Sequence, residues 1–191
     1  MEKLIAFFRD SNLVSQQKAA EFATVFFYKS VSKNDFHLRE RQICDEYLFL
    51  EQGFMRAFAY DVNGAEVTTS FYGPGQVVFE VSSFFNRTAS KEAIQALTDC
   101  SGWYITYAQL NYLFHAVPEF RDFGRSVLVK GFAALKTRML SMITETAEER
   151  YAYLLQTAPE LFQAAPLKYI ASYLGVTDTS LSRIRKEFAA K

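Results

Sequence analysis

Between Tyr47 and Ile105 the chain never runs more than about ten residues without a turn signal, and this limits it to short strands. Tyr47-Leu48-Phe49-Leu50 is a buried-strand run closed by Gly53. Phe54 to Tyr60 then alternates Met55, Ala57 and Ala59 against Phe54, Arg56 and Phe58. Asp61-Val62-Asn63-Gly64 predicts a hairpin, with Asn-Gly supplying positive φ angles. Val67–Phe71 returns, Tyr72-Gly73-Pro74-Gly75 turns, and Gln76–Val81, Ile94–Leu97 and Trp103–Ile105 give further strands. Short strands at this spacing predict a β-roll or jelly roll, whose interior can hold a small ligand. The 19 Phe and 11 Tyr suit such a bulky interior.

Helical patterns flank this region. Residues 1–25 read as a short helical lid, with Leu4, Ile5, Phe7 and Phe8 interrupted at Asp10-Ser11 and resumed by Phe22 and Val25. Pro118-Glu119 opens a long helix to about Ile143. On it Leu128, Phe132, Leu135, Met139 and Met142 step by four, three, four and three, the heptad seam of paired helices. A homodimer is the expectation, with the remaining apolar width packing on the roll. Thr144 to Arg150 reads as a hinge, where a Thr cap and acids start a helix from Ala147 to about Thr157. Pro159 and Pro166 mark the next joins.

The C-terminus predicts two short helices. Leu167, Ile170, Ala171 and Leu174 give the first an apolar side, and Gly175 stands where a left-handed cap belongs. Thr177 or Asp178 can cap the second. Leu181, Ile184 and Phe188 form its buried stripe, opposite Thr179, Arg183 and Lys186. A helix of this kind suits a DNA major groove: hydroxyls and Lys meet phosphates, and Arg forks onto guanine. An amphipathic pair closing a small core fits these residues as well. The 21 basic and 21 acidic residues cancel over the whole chain. Attraction to DNA would therefore rest on the local excess of Lys168, Arg183, Arg185, Lys186 and Lys191 over Asp178 and Glu187.

The order from Lys33-Asn34-Asp35 through Tyr47–Gly53, Asp61–Gly64 and Phe71–Gln76, followed by a long helix and a helix–turn–helix, resembles the Crp/Fnr family of bacterial transcription regulators. The resemblance implies an α+β fold: a cyclic-nucleotide-binding β-roll, a long dimerisation helix and a C-terminal helix-turn-helix. The sequence ends at Lys191 without a full wing. It implies three units: residues 1–117 as sensor, 118–145 as dimerisation helix and hinge, 146–191 as DNA-binding domain. Thr177, Thr179, Ser180, Arg183 and Lys186 become the DNA contacts, with double-stranded DNA and RNA polymerase as partners.

In the family a Gly-Glu pair and an Arg-Ser pair hold the cyclic phosphate and ribose, through helix N–H groups and a guanidinium. Here Glu80 matches the ribose Glu, Phe79 replaces the Gly, and Ser90-Lys91 replace Arg-Ser. Lys91 or Arg87 would be the substitute cation, although Lys offers no bidentate fork. Glu80, Val81, Ser82, Arg87, Ser90 and Lys91 are thus the candidate ligand residues of an atypical pocket. The effector would be a small molecule other than a cyclic nucleotide, or absent. Leu135 and Lys136 fall where the family has paired hydroxyls, with Thr137 adjacent.

Other chemistries find little support. Cys44 and Cys100 are too few for a disulfide framework or an all-Cys cluster. A reducing cytosol follows, and no apolar run approaches a membrane span. His37 and His115 are too few for a cupin-type metal enzyme. No metal site, fixed cofactor, nucleophilic triad or catalytic residue is assigned. A scaffold or effector-binding roll without DNA binding is the competing reading.

Overall fold

The computed structural model describes residues 1–189. The N-terminal lid is two helices, α1 (Glu2–Arg9) and α2 (Gln16–Ala23). The break follows local chemistry: Ser11 Oγ donates to the Phe8 carbonyl, Asn12 takes a positive φ, and the Ser15 side chain caps α2. Leu4, Phe8 and Phe22 are buried, and Phe8 stacks against Phe22, Phe120 and Phe123.

Eight strands follow: β1 (Phe27–Val31), β2 (Phe36–Leu38), β3 (Glu46–Gln52), β4 (Met55–Tyr60), β5 (Glu66–Tyr72), β6 (Val77–Val78), β7 (Ala93–Ala96) and β8 (Cys100–Thr106). They form two antiparallel sheets, ordered β1-β8-β3-β6 and β2-β7-β4-β5. Leu48, Leu50, Met55, Ala57, Ile94 and Ala96 fill the core between them. Gly102 on β8 is required by close packing, since a Cβ there would fall 2.1 Å from the Phe49 carbonyl oxygen.

Three local expectations change. β1 and β2 lack the long apolar runs of the later strands, so their residues did not announce them. The strand expected over 76–81 stops after two residues, and Val81 instead opens α3 (Val81–Asn86). The cause is Glu80, whose carboxylate accepts from the Ser82 and Ser83 N–H groups and caps the helix. In the Asp61–Gly64 hairpin only Gly64 takes a positive φ, of 80°. Asp61 sets this turn by accepting from the Asn63 and Ala65 N–H groups, so Asn63 need not leave the usual region.

The remainder is helical: α4 (Tyr107–Ala116), α5 (Pro118–Thr144), α6 (Ala147–Thr157), α7 (Leu161–Ala164), α8 (Leu167–Leu174) and α9 (Asp178–Ala189). Capping boxes start α4 at Thr106/Gln109 and α6 at Thr146/Glu149. α5 is anchored by Phe120, Phe123 and Gly124, and its later turns are mostly exposed. A second core joins Tyr151, Leu161, Ile170, Leu174, Leu181 and Ile184, with Leu97 contributed by the roll.

Candidate nucleic-acid interface and effector site

α8 and α9 are joined by the turn the residues dictate. Gly175 ends α8 at φ 71°, and the Thr177 hydroxyl accepts from the Ser180 N–H, so Thr177 rather than Asp178 caps α9. Arg150 secures the turn from below, donating from Nε and Nη2 to the Leu174 carbonyl at 3.2 and 2.9 Å. It thereby satisfies a carbonyl that a helix end leaves open. Leu181 and Ile184 are buried, while Thr179, Arg183 and Lys186 are exposed and Ser180 is half-buried. The Arg183 side chain is 73% exposed, and Glu187 stands 4.0 Å from its Nε. A guanidinium held this loosely costs little to redirect to a base edge or phosphate. Lys191, the last cation of the local excess, lies outside the described residues.

Several of the residues expected around an effector already have partners within the chain. Glu80 is committed to capping α3. Arg87 ends α3 in the left-handed conformation and turns toward Asp45, 2.6 Å away. Its Nη1 donates to the Cys44 carbonyl and its plane covers the Tyr107 ring. Ser90 is buried with its hydroxyl donated to the Glu92 carbonyl, whereas Lys91, Val81 and Ser82 face outward. Phe79 points into the core against Tyr47 and Phe84. The group that sequence reasoning missed is Glu92. Burial pushes its carboxyl up, and the Glu80 charge adds to that. The Glu80 and Glu92 charges thus act on one another at this end of the roll, and negative charge there is unfavourable for an incoming cyclic phosphate.

Residues 28–116 match the cyclic nucleotide-binding domain family. No curated protein sequence matches the chain. Among solved structures, FixK2 from Bradyrhizobium japonicum is 20% identical, with 87% of this chain and 85% of that one covered at a TM-score of 0.72. The c-di-GMP-responsive global regulator CLP of Xanthomonas campestris is 16% identical, with 90% of each chain covered at 0.69. A protein of Eubacterium rectale described as a Crp/Fnr-family transcriptional regulator is 14% identical, with 97% and 88% covered at 0.73. The chain has the Crp/Fnr fold.

Within that Crp/Fnr fold the long helix carries an uncovered apolar side. Leu128, Phe132, Leu135, Met139 and Met142 are 39, 71, 63, 47 and 39% exposed. Val129 and Ile143 widen the stripe, at 62 and 73%. Lys136 and Thr137 are exposed beside it. His37 is buried and its Nδ1 has no hydrogen-bond partner among the described residues, with Glu46 3.6 Å away. No group of three or more His, Cys, Asp or Glu among the described residues could hold a metal ion, and no described helix is long and apolar enough to cross a membrane. The available signal for Glu92 was its place directly after the candidate pair Ser90-Lys91, but which groups act on it is a tertiary fact.

Proposed function

We propose that this chain is a dimeric, DNA-binding transcription regulator of the Crp/Fnr type whose roll does not take a cyclic nucleotide in the family's usual way. The supporting observation is the helix pair: Leu181 and Ile184 seat α9, and Thr179, Arg183 and Lys186 are left on its outer side. Thr177 and Ser180 add hydroxyls at the start of α9, where phosphate is attracted. Residues 118–145 serve as the pairing helix and hinge between a sensor of residues 1–117 and a DNA-binding unit of residues 146–191. Two symmetric copies would then present two α9 helices to neighbouring major-groove turns. The role is that of a cytoplasmic regulator and not an enzyme, with RNA polymerase as its downstream partner.

The effector reading draws on charge. The Glu80 charge raises the Glu92 carboxyl at the end of the roll where a phosphate would need cations, and Arg87 is engaged by Asp45. The X. campestris relative responds to c-di-GMP. Titration with cAMP, cGMP and c-di-GMP by calorimetry should give no micromolar binding for the two monocyclic nucleotides. Such binding would overturn this part of the proposal.

Selection of genomic fragments bound by the purified protein tests the function itself. It should return a two-fold symmetric site. Arg183→Ala should weaken that site by about 1–3 kcal/mol, and Lys186→Ala should weaken all sequences alike. Equal losses on selected and random DNA for Arg183→Ala would remove the base-reading role. Failure to enrich any fragment would favour the scaffold reading instead.

A further inference from the structure

One side of α5 packs on its own chain. Phe120 and Phe123 are buried, Val127 packs against the roll core, and Arg138 donates to the Tyr173 carbonyl of α8 while covering its ring. At about 100° per residue these four fall roughly 80–140° to one side of the seam residue Leu128. Val129, Lys136 and Ile143 fall about 60–100° to the other side. All three are exposed. Between Leu128 and Ile143, Lys136 is the one charge on that flank. It makes no ion pair among the described residues. An ammonium set among Val129, Phe132 and Ile143 is unfavourable in an interface unless it meets a negative group.

Glu92 is the matching group. It is half-buried, and burial followed by the Glu80 charge pushes its carboxyl up. It too makes no ion pair among the described residues. Arg87 is held by Asp45, Arg138 by the Tyr173 carbonyl, and Lys91 faces outward. The height of Glu92 along α5 is set through Tyr173. Arg138 donates to its carbonyl at 3.1 Å, and its ring lies 5.0 Å from Phe71 on β5. The phenol of the adjacent Tyr72 is pushed up by burial and then by the Glu92 charge.

In a parallel pair built on the α5 seam, two-fold symmetry sets the exposed flank of one helix beside the packed side of the other, and so beside its roll. Lys136 precedes Arg138 by two residues, a rise of about 3 Å. The flank ammonium of one copy therefore arrives at the level of Arg138 and Tyr173 in the other, where the unpaired carboxylate lies.

We propose that Glu92 forms an intersubunit ion pair with Lys136 of the partner subunit, so that an ammonium built into the protein takes the place of an effector at this end of the roll. This rests on the pairing reading above. Pairing itself then neutralises the carboxylate, and no small molecule is needed to join the two copies. Sedimentation velocity on the full chain tests it through Lys136→Gln, Glu92→Gln and the double variant. Lys136→Gln should raise the dimer dissociation constant about tenfold in the wild-type chain and about twofold or less once Glu92 is Gln. Carbodiimide treatment of the wild-type dimer, followed by peptide mass spectrometry, reads the contact without any substitution and should join Lys136 to Glu92 between copies. Additive losses in the double variant, or a dimer in which Lys136 couples only to other carboxyls or to none, would overturn the ion pair and leave the pairing reading standing. A wild-type chain that sediments as a monomer at micromolar concentration would overturn both.

Discussion

Phe132 offers the sharpest test of pairing through α5, because its contribution can be worked out before any partner is seen. The side chain is 71% exposed in the single chain. A Phe side chain covers about 200 Å², and truncation to Ala removes roughly 100 Å² of area that a partner helix could cover. At about 25 cal/mol per Å² this is about 2.5 kcal/mol per copy, and about 5 kcal/mol for a symmetric pair in which both copies change. If the partner covers only half of that area, the loss is about 2.5 kcal/mol for the pair. Phe132→Ala should therefore raise the dimer dissociation constant roughly 70- to 5,000-fold. The fold of each chain should be left intact, because Phe132 is mostly uncovered within its own chain. Sedimentation velocity over a dilution series reads the constant directly. A wild-type protein that sediments as a monomer at micromolar concentration, or a variant with the wild-type constant, would refute the reasoning.

Gly131 has open space where a Cβ would go, so Gly131→Ala should raise stability by about 0.5–1 kcal/mol through helix propensity, read as a higher melting temperature. Lower stability would mean that another helix approaches closely there. Gly102→Ala drives a Cβ into the Phe49 carbonyl and should cost more than about 3 kcal/mol in urea unfolding. Thr177→Ala removes the cap of α9 and should cost about 0.5–2 kcal/mol, seen as faster amide exchange in α9 than in the roll. Burial lowers the His37 pKa from 6.5 to about 3, with the Lys29 charge acting in the same direction. Above pH 6.5 the ring is neutral folded and unfolded, and its contribution is complete. As pH falls below that value the unfolded chain takes up a proton that the folded one refuses. Stability should then drop by about 1.4 kcal/mol per pH unit until the folded pKa is reached. His37→Phe should flatten that limb in denaturant titrations at a series of pH values, and an unchanged slope would contradict the burial argument.

The helix pair was legible because its information is local. Gly175 and Thr177 set the turn through their own backbone and hydroxyl, and the spacing of Leu181 and Ile184 chose the buried side of α9. The long helix was legible for the same reason, from Pro118 at its start through the apolar repeat that runs to Met142. The strands with long apolar runs could be read, but β1 and β2 could not, since pairing with β8 and β7 makes them strands.

Around the candidate effector residues, sequence order named the residues but not the partners they take. Glu80 matched a ribose-binding position by order along the chain, yet the free N–H groups of Ser82 and Ser83 claim its carboxylate. Arg87 stood close enough in sequence to serve as the pocket cation, and Asp45, 42 residues earlier, pairs with it.

Taken alone, the sequence determined the kinds of element and their order, because period, caps and turn residues act over a few positions and need no distant partner. Only the tertiary structure decided that Arg138 reaches the Tyr173 carbonyl, that Arg56 is covered by Tyr169, and that Phe132 is left mostly uncovered by its own chain. Those facts depend on which surfaces meet after the chain has folded back on itself, and charge, burial and unpaired donors acquire their energies only there.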